Sequence, residues 1–283
     1  MSIVVTAATG HLGRLVLEAL LAKGVTPSDI VAGGRSIEKL QDFADSGVRV
    51  QVIDYDQPET LAAAFAGADR VLFISASEPG RRIPQHKNVI DAAKAANVGL
   101  LAYTGILNAD TTTMKLASDH LATEAALKAS GLPVVLLRHG WYLENYIAQI
   151  PGALERGALA GASGGGRISA ATRADFAAAD VAALLGAKGG EVYEMGGDEG
   201  FTMSELAAEI SRQTGQQVVF NDLPTEEYRE LLANVGVPAP MDEVLADVDR
   251  AIRDGELYTG SGDLSRLINR PTTTLADAVR AAL

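Results

Sequence analysis

Short, mostly apolar runs recur along the first half of the chain, and each is followed by a stretch whose apolar residues return at helical spacing. Apolar runs with little polar alternation indicate strands buried on both faces, as in parallel sheets. We place strands at residues 3–5, 30–34, 48–53, 71–74, 100–104 and 134–138, with helices between them. This alternation of strand and helix predicts an α/β fold with a doubly wound parallel sheet.

The alternation ends after residue 138. Residues 139–146 hold the single tryptophan and two of the seven tyrosines of the sequence. Residues 157–166 are rich in glycine and alanine, which predicts a mobile loop and a candidate lid over a bound ligand. The remaining pattern predicts strands at residues 191–195 and 218–220, a capping box at Thr202-Met-Ser-Glu205 and otherwise mostly helix.

A chain of 283 residues is long enough for one large α/β domain with a smaller lobe. We expect a nucleotide-binding domain over residues 1–138. Residues 139–283 are expected to form a smaller, mostly helical C-terminal substrate lobe, with part of its chain returning to the first domain.

The turn after the first strand carries the clearest motif. A buried strand, a turn of small residues and the start of a helix form half of a dinucleotide-binding unit of the Rossmann type. The amides of the turn and the positive end of the helix suit a pyrophosphate, and Gly10 and Gly13 allow close approach of backbone and ligand. Ala7 replaces the first glycine of the usual pattern and resists a positive φ. The alternative to a cofactor-binding turn is an ordinary tight turn of an α/β protein. We assign cofactor binding to Thr6, Ala7, Ala8, Thr9, Gly10, His11, Leu12 and Gly13.

Two further segments refine the predicted cofactor. NAD-selective units carry an acidic residue near the end of the second strand, whereas this chain has Arg35 there and Lys39 one turn later. Cations at this place suit a 2′-phosphate, so the predicted cofactor is NADPH. The alternative is a pair of solvated surface charges. The small residues Ser75, Ala76 and Ser77 end the fourth strand, where the nicotinamide ribose would pass.

Charge and composition exclude several classes of function. The net charge is −12 with no basic cluster, which argues against binding of nucleic acid or anionic membranes. No cysteine is present, and the four histidines lack paired ligand spacing, so we expect no metal site. The chain starts directly with a strand and contains no apolar run of membrane-spanning length. We expect a cytoplasmic protein; no oligomeric state is indicated.

Several stretches resemble the NmrA-like group of atypical short-chain dehydrogenases, and within it the quinone reductases and triphenylmethane dye reductases. The shared stretches are AATGHLG at 7–13, Arg35, LFISASE at 72–78, PQHKNVI at 84–90, AYT at 102–104, LRHGWYLENY at 137–146, SAATRAD at 169–175, VYE at 192–194 and RPTTTL at 270–275. They extend along nearly the whole chain, and those around Trp141 and Arg173 favour the quinone reductases.

The resemblance implies further site residues. It adds Tyr103, His139, Gly140, Trp141 and Arg173 to the expected cofactor contacts. His139 stands where the group leads us to expect asparagine, near the nicotinamide. Tyr142 and Asn145 become candidate catalytic residues, and Trp141, Tyr142 and Tyr146 candidates for the wall of an acceptor slot, with core packing as the alternative.

The chemistry available to the chain favours a quinone as acceptor. No tyrosine is followed four residues later by lysine, so the usual tyrosine acid of short-chain dehydrogenases is absent. Reduction of a quinone tolerates this absence, because hydride addition gives an anion with a pKa near that of phenol, about 10. His120 is a candidate proton donor, and the alternative is a buried structural histidine paired with Glu124.

We therefore predict an NADPH-dependent oxidoreductase that transfers hydride to a small-molecule quinone. The alternatives are a redox-sensing regulator that binds NADP(H) without turnover and a reductase of cationic dyes. A sugar epimerase is disfavoured because it would need the absent tyrosine and lysine pair.

Overall fold

A computed structural model describes residues 1–78 and 80–283, and it divides the chain into two compact units. The first unit comprises Met1–Ile106, Asp119–His139 and Arg173–Tyr193, and the second comprises Leu107–Ser118, Gly140–Thr172 and Glu194–Leu283. The division into a cofactor domain at 1–138 and a substrate lobe at 139–283 stays a prediction, because compactness alone assigns no ligand to either unit.

The strands follow the predicted positions closely. The central sheet contains Ile3–Val5 (β1), Ile30–Gly34 (β2), Arg49–Val52 (β3), Arg70–Phe73 (β4), Leu100–Ile106 (β5) and Val134–His139 (β6), and a separate sheet contains Ala158–Gly161 (β7) and Val219–Asp222 (β9), with Val192–Met195 (β8) at the edge of the central one. The order is β3-β2-β1-β4-β5-β6-β8, and the pairs from β3 to β6 are parallel. The Rossmann-type doubly wound sheet is therefore confirmed.

α-Helices separate the strands along the chain and follow the last of them. They are His11–Ala22 (α1), Gln41–Asp45 (α2), Pro58–Phe65 (α3), Arg82–Ala95 (α4), Ala117–Ala129 (α5), Glu144–Ile147 (α6), Ile150–Arg156 (α7), Arg173–Gly186 (α8), Met203–Thr214 (α9), Thr225–Asn234 (α10), Met241–Arg253 (α11), Asp263–Ile268 (α12) and Leu275–Ala282 (α13). Short 3-10 helices cover Pro27–Asp29 and Ile37–Leu40. Helix α9 begins at the predicted capping box, in which the Thr202 hydroxyl accepts from the Glu205 amide at 3.1 Å. In the described part of the chain, no helix has the length and apolar character needed to cross a bilayer.

The sheet is buried because its central strands carry aliphatic side chains. Val4 lies opposite Val31 of β2 and Val71 of β4, and all three are at most 2% exposed. The strand order reverses between β1 and β4, because β2 and β3 follow on one side of β1, and β4, β5 and β6 on the other. Ligands of such sheets bind at the carboxyl ends of the strands on either side of this switch point.

The glycine-rich stretch at 157–166 differs from its prediction as a mobile loop. Its first part is β7, which pairs in parallel with β9. A Cβ atom on Gly161 would lie 2.7 Å from Asp249 Oδ2, and one on Gly166 would lie 2.1 Å from the carbonyl oxygen of Ile252. These glycines allow close packing against α11. The prediction of a loop was wrong for residues 158–161, because glycine permits close contact as readily as it permits flexibility.

Asp249 makes the stability of this second unit depend on pH. Its Oδ2 accepts a hydrogen bond from the Ala162 amide at 2.6 Å. Burial raises the pKa of Asp249 to about 6; the Ala162 bond and Arg253 oppose this shift, and the nearby Asp222 adds to it. Because the pKa of Asp249 is higher in the folded state than in the unfolded state, protonation of its carboxyl group stabilises the fold. This stabilisation is complete below the unfolded-state pKa near 4 and is lost as the pH rises through about 6.

We therefore compare the free energy of unfolding of Asp249→Asn with that of the unmodified chain at pH 4 and at pH 8. The variant should be more stable relative to the unmodified chain at pH 8 than at pH 4. The difference between the two pH values should be about 1 to 3 kcal/mol in the free energy of unfolding, measured by urea denaturation. Asp254→Asn, which alters an exposed carboxylate at the end of the same helix, is the control and should show no such difference. Equal behaviour of the two variants would contradict the assignment.

Candidate cofactor site

The turn after β1 holds an unusual backbone conformation. Ala7 has a φ of +48°, in the left-handed region that an alanine adopts only at a cost of about 1 to 2 kcal/mol. The carbonyl oxygen of Ala7 accepts from the Gly10 amide at 3.1 Å, and the Ala8 amide donates to the Gly33 carbonyl at 2.7 Å. The chain therefore follows the path that usually requires glycine, with alanine in its place.

Glycines hold this turn against its neighbours. A Cβ atom on Gly13 would lie 2.5 Å from the Ala7 carbonyl oxygen and 2.6 Å from Ala8 Cα. One on Gly34 would lie 2.6 Å from Thr9 Oγ1. Gly10 is the N-cap residue before α1, and it carries no side chain that could cap the helix. The amides at the start of α1 are thus placed for an anionic ligand, as a pyrophosphate would require.

A cavity of about 230 Å³ opens beside this turn, at the carboxyl ends of β1 to β4. It is lined by Ala7, Thr9, Gly10, Gly34, Arg35, Ile53, Asp54, Tyr55, Ser75, Ala76, Ser77, Glu78 and Gln85. Small and polar residues predominate among them, which leaves room for a polar ligand. The cavity and the uncapped start of α1 fit the diphosphate and ribose groups of a dinucleotide.

The predicted cofactor residues fall into several groups. Those that line the cavity are Ala7, Thr9, Gly10, Arg35, Ser75, Ala76 and Ser77. Thr6, Ala8, Leu12 and Gly13 are buried around the turn, and His11 and Lys39 are exposed. Tyr103 is fully buried in the core of the first unit and does not line this cavity. Arg173 begins α8 in the same unit. Their contacts with a cofactor stay predictions.

His139 ends β6 in a buried environment. Its Nε2 lies 2.8 Å from Oδ1 of Asp180, and its ring stacks on Phe176 at a centroid distance of 4.5 Å. Both side chains of the His139–Asp180 pair are at most 4% exposed. A carboxylate oriented in this way fixes the imidazole ring.

The remaining predicted residues belong to the second unit. The Gly140 amide donates to the Met195 carbonyl at 2.7 Å, and Tyr142 forms a backbone bridge to Ala171. Trp141 and Asn145 are partly buried. Tyr146 is 5% exposed and packs edge-on against Phe201, which is core packing rather than the wall of an open slot.

The Tyr55 side chain supports the turn by hydrogen bonding, and the sequence pattern did not single it out. Its hydroxyl lies 2.5 Å from Thr6 Oγ1 and donates to the Ile74 carbonyl at 2.7 Å. Burial raises the pKa of Tyr55 well above its ordinary value, so the phenol keeps its proton. The signal that could have found it is position, because Tyr55 follows β3 at the same sheet edge as the turn.

His86 supports the segment from Ser75 to Ser77 in the same way. The Ala76 amide donates to its Nε2 at 2.9 Å, so the ring proton is on Nδ1, which donates to Thr123 Oγ1 at 2.9 Å. Burial and the nearby Arg82 guanidinium lower the pKa of His86 to about 3. The neutral ring is therefore maintained at physiological pH, and with it the position of Ala76 beside the cavity.

His120 lies deeper, and its partner differs from the expected one. Its Nδ1 lies 2.7 Å from the Tyr103 hydroxyl. Glu124 binds Arg138 through contacts of 2.9 and 2.7 Å, so the alternative that paired His120 with Glu124 was wrong. Periodicity placed the two on one helical face but could not reveal a partner on β6. Burial, with a smaller contribution from Arg82, lowers the pKa of His120 to about 3, so its ring is neutral at physiological pH. Its catalytic role stays a prediction.

Across the described residues, no cluster of His, Asp or Glu forms a group that could hold a metal ion. The candidate site is thus built from turn amides, small side chains and the charged residues around Arg35. Its chemistry is that of binding a nucleotide cofactor.

Comparison with known proteins agrees with this geometry. A family model described as NAD(P)H-binding matches residues 7–184, which include the turn, Arg35 and the segment at 75–77. The chain belongs to this NAD(P)H-binding family. Its NmrA-like character is supported by 30% identity over the whole chain, and over 95% of the relative, to an NmrA-like family domain-containing oxidoreductase of Aspergillus flavus.

Other members of the family are more similar. Quinone oxidoreductase 2 of Escherichia coli K12 is 46% identical over 98% of this chain and 97% of its own. The crystal structure of the E. coli NADPH-dependent enzyme complexed with NADPH superposes with a TM-score of 0.96 and 99% coverage of both chains. The triphenylmethane reductase of Citrobacter sp., complexed with NADP(H), gives 0.95 at 38% identity, with full coverage of both chains. The NAD(P)H-binding fold is therefore shared along the whole length.

Proposed function

We propose that this chain is an NADPH-dependent oxidoreductase that transfers hydride to a quinone. The observation that supports it most is the cavity beside the uncapped start of α1, with Arg35 at its rim. The 46% identity to E. coli quinone oxidoreductase 2 supports the choice of acceptor. We further propose a cytoplasmic location, where NADPH is the common reductant.

The chain offers a place for each charged part of the cofactor. The amides of the turn and of the first turn of α1 would hold the pyrophosphate, and Arg35 would bind the 2′-phosphate. Ser75, Ala76 and Ser77 would border the ribose next to the nicotinamide, held in place by His86. When bound, NADPH supplies a hydride from its nicotinamide C4. We assign contacts with the acceptor to Trp141, Tyr142 and Asn145.

The proton required by the reduced quinone does not need a buried acid. The hydroquinone anion has a pKa near 10, so it can leave the site and take its proton from water. His120 is neutral at physiological pH and bonded to Tyr103, which suits an orienting role.

We expect His120→Gln to keep quinone reductase activity within about tenfold of the unmodified enzyme, well below the loss of 10² or more that removal of a general acid causes. Glutamine keeps a hydrogen-bonding group for Tyr103. Steady-state kinetics from pH 6 to 9 test this, with the fold checked by circular dichroism. A loss above about 10²-fold that shrinks at low pH would show that His120 donates the proton.

Oxidation of NADPH in the presence of benzoquinone tests the proposed function directly. Turnover that depends on both compounds is expected. The 38% identity to triphenylmethane reductase favours a cationic dye as second acceptor, so malachite green is included. Binding of NADPH without turnover on any acceptor would overturn the proposal and favour a redox-sensing regulator.

A further inference from the structure

Arg35 already has an anionic partner inside the candidate cofactor site. Its Nη1 lies 2.5 Å from Oε1 of Glu78, and both residues line the cavity. They are 43 residues apart and follow different strands, β2 and β4. The Arg35 side chain is 64% exposed and that of Glu78 is 31% exposed, so an incoming anion can reach the guanidinium. Any group that binds Arg35 here must compete with a carboxylate.

Glu78 also has other partners nearby. Gln85 Nε2 donates to its Oε2 at 3.1 Å, and Arg81 Nη1 lies 3.7 Å from the same oxygen. Arg35, followed by Gln85, holds the pKa of Glu78 below its usual range, so the carboxylate is ionised at neutral pH. A second cation is therefore within reach of Glu78 when Arg35 is taken by another anion.

We propose that Glu78 is a specificity-determining residue of the cofactor site. It acts as a resident counter-anion that occupies Arg35 until the 2′-phosphate of NADPH displaces it toward Arg81. The inference rests on the proposed function, in which Arg35 binds that phosphate. Because a carboxylate and a phosphate repel one another, they cannot share the guanidinium without loss of affinity. NADH carries a hydroxyl at this position and leaves the Arg35–Glu78 pair intact. Glu78 thus weakens NADPH binding and narrows the preference for NADPH over NADH.

Glu78→Gln tests this inference, because glutamine keeps the size and loses the charge. The Kd for NADPH should fall about 5- to 20-fold, the scale of one partly exposed charge pair together with the repulsion of a phosphate a few ångströms away. The Kd for NADH should change less than about threefold. Isothermal titration of both cofactors into the apoprotein measures these values.

Combination with Arg35→Gln separates competition from general repulsion. Arg35→Gln alone should weaken NADPH binding by about 10- to 100-fold and NADH binding far less. In that background Glu78→Gln should tighten NADPH binding by less than about threefold, since the guanidinium to be released is gone. An equal gain in both backgrounds would overturn the inference, because the carboxylate would then act by long-range charge alone.

Asp91 offers a control carboxylate that contacts neither Arg35 nor Arg81. It is exposed on α4, where it pairs with Lys87, and it does not line the cavity. Asp91→Asn should therefore change the Kd for NADPH less than about twofold, and a gain equal to that of Glu78→Gln would overturn the specific role of Glu78.

The remaining outcomes distinguish the two proposals. If Arg35→Gln selectively weakens NADPH binding but Glu78→Gln changes nothing, the role of Glu78 is wrong and the phosphate site stands. If Arg35→Gln weakens both cofactors equally, the assignment of the 2′-phosphate to Arg35 is wrong, and the inference about Glu78 is overturned with it.

Discussion

Replacement of Gly13 by valine is expected to abolish cofactor binding and to destabilise the fold. The first added atom would lie 2.5 Å from the Ala7 carbonyl oxygen and 2.6 Å from Ala8 Cα, and both are backbone atoms that no side-chain rotation can move. Either α1 or the turn must shift. We expect a loss of about 3 kcal/mol or more in the free energy of unfolding, and no measurable binding of NADPH at concentrations that saturate the unmodified chain.

Gly186→Ala provides the control. Gly186 also lies in a helix, at the end of α8, and a Cβ atom there would meet nothing within 4 Å. Alanine should be neutral or stabilise by up to about 1 kcal/mol. Urea denaturation and titration with NADPH compare the two variants. Wild-type affinity in Gly13→Val would show that the turn adapts and that its close contact with α1 is not required.

Removal of one partner from the buried Arg138–Glu124 pair is expected to have the other large effect. Arg138 is 5% exposed and Glu124 is 2% exposed, and Arg138 donates from Nε to Oε1 and from Nη2 to Oε2 of Glu124. Arg138→Met leaves the carboxylate without its closest cation, although Lys128 remains 3.8 Å away. We expect a loss of about 3 to 5 kcal/mol in the free energy of unfolding, measured by urea denaturation.

A double variant shows whether unpaired charge causes that loss. Glu124→Leu combined with Arg138→Met removes both charges, and it should recover most of the stability. Arg280→Met, which breaks an exposed contact of 2.7 Å with Asp277, should cost less than about 1 kcal/mol. If the double variant were as unstable as Arg138→Met, the loss would come from packing instead of charge.

Local pattern was sufficient to predict the sheet. Strand β2 covers residues 30–34 as expected, because a buried parallel strand must be apolar along its whole length and its ends are marked by polar residues. The turn at residues 6–13 was recognisable for a related reason. Its small residues are required wherever backbone and helix approach closely, and that requirement is local in sequence.

Long-range contacts explain what the pattern missed. The partner of Arg35 is 43 residues away and that of Glu124 is on β6, so neither follows from helical spacing. Tyr55 at the cavity wall and His86 behind Ala76 support the site through hydrogen bonds that no sequence motif records. Residues 158–161 were misinterpreted because glycine composition alone does not distinguish a flexible loop from a tightly packed strand.

Ala7 separates two properties that a glycine motif normally combines, the residue type and the backbone path. Its φ of +48° keeps the path although its side chain departs from the motif. A sequence search that demands three glycines would discard this chain. A structural search for a residue with a positive φ three positions before Gly10 would retain it. The torsion angle, rather than the glycine, is therefore the better criterion for recognising such turns in divergent dinucleotide-binding proteins.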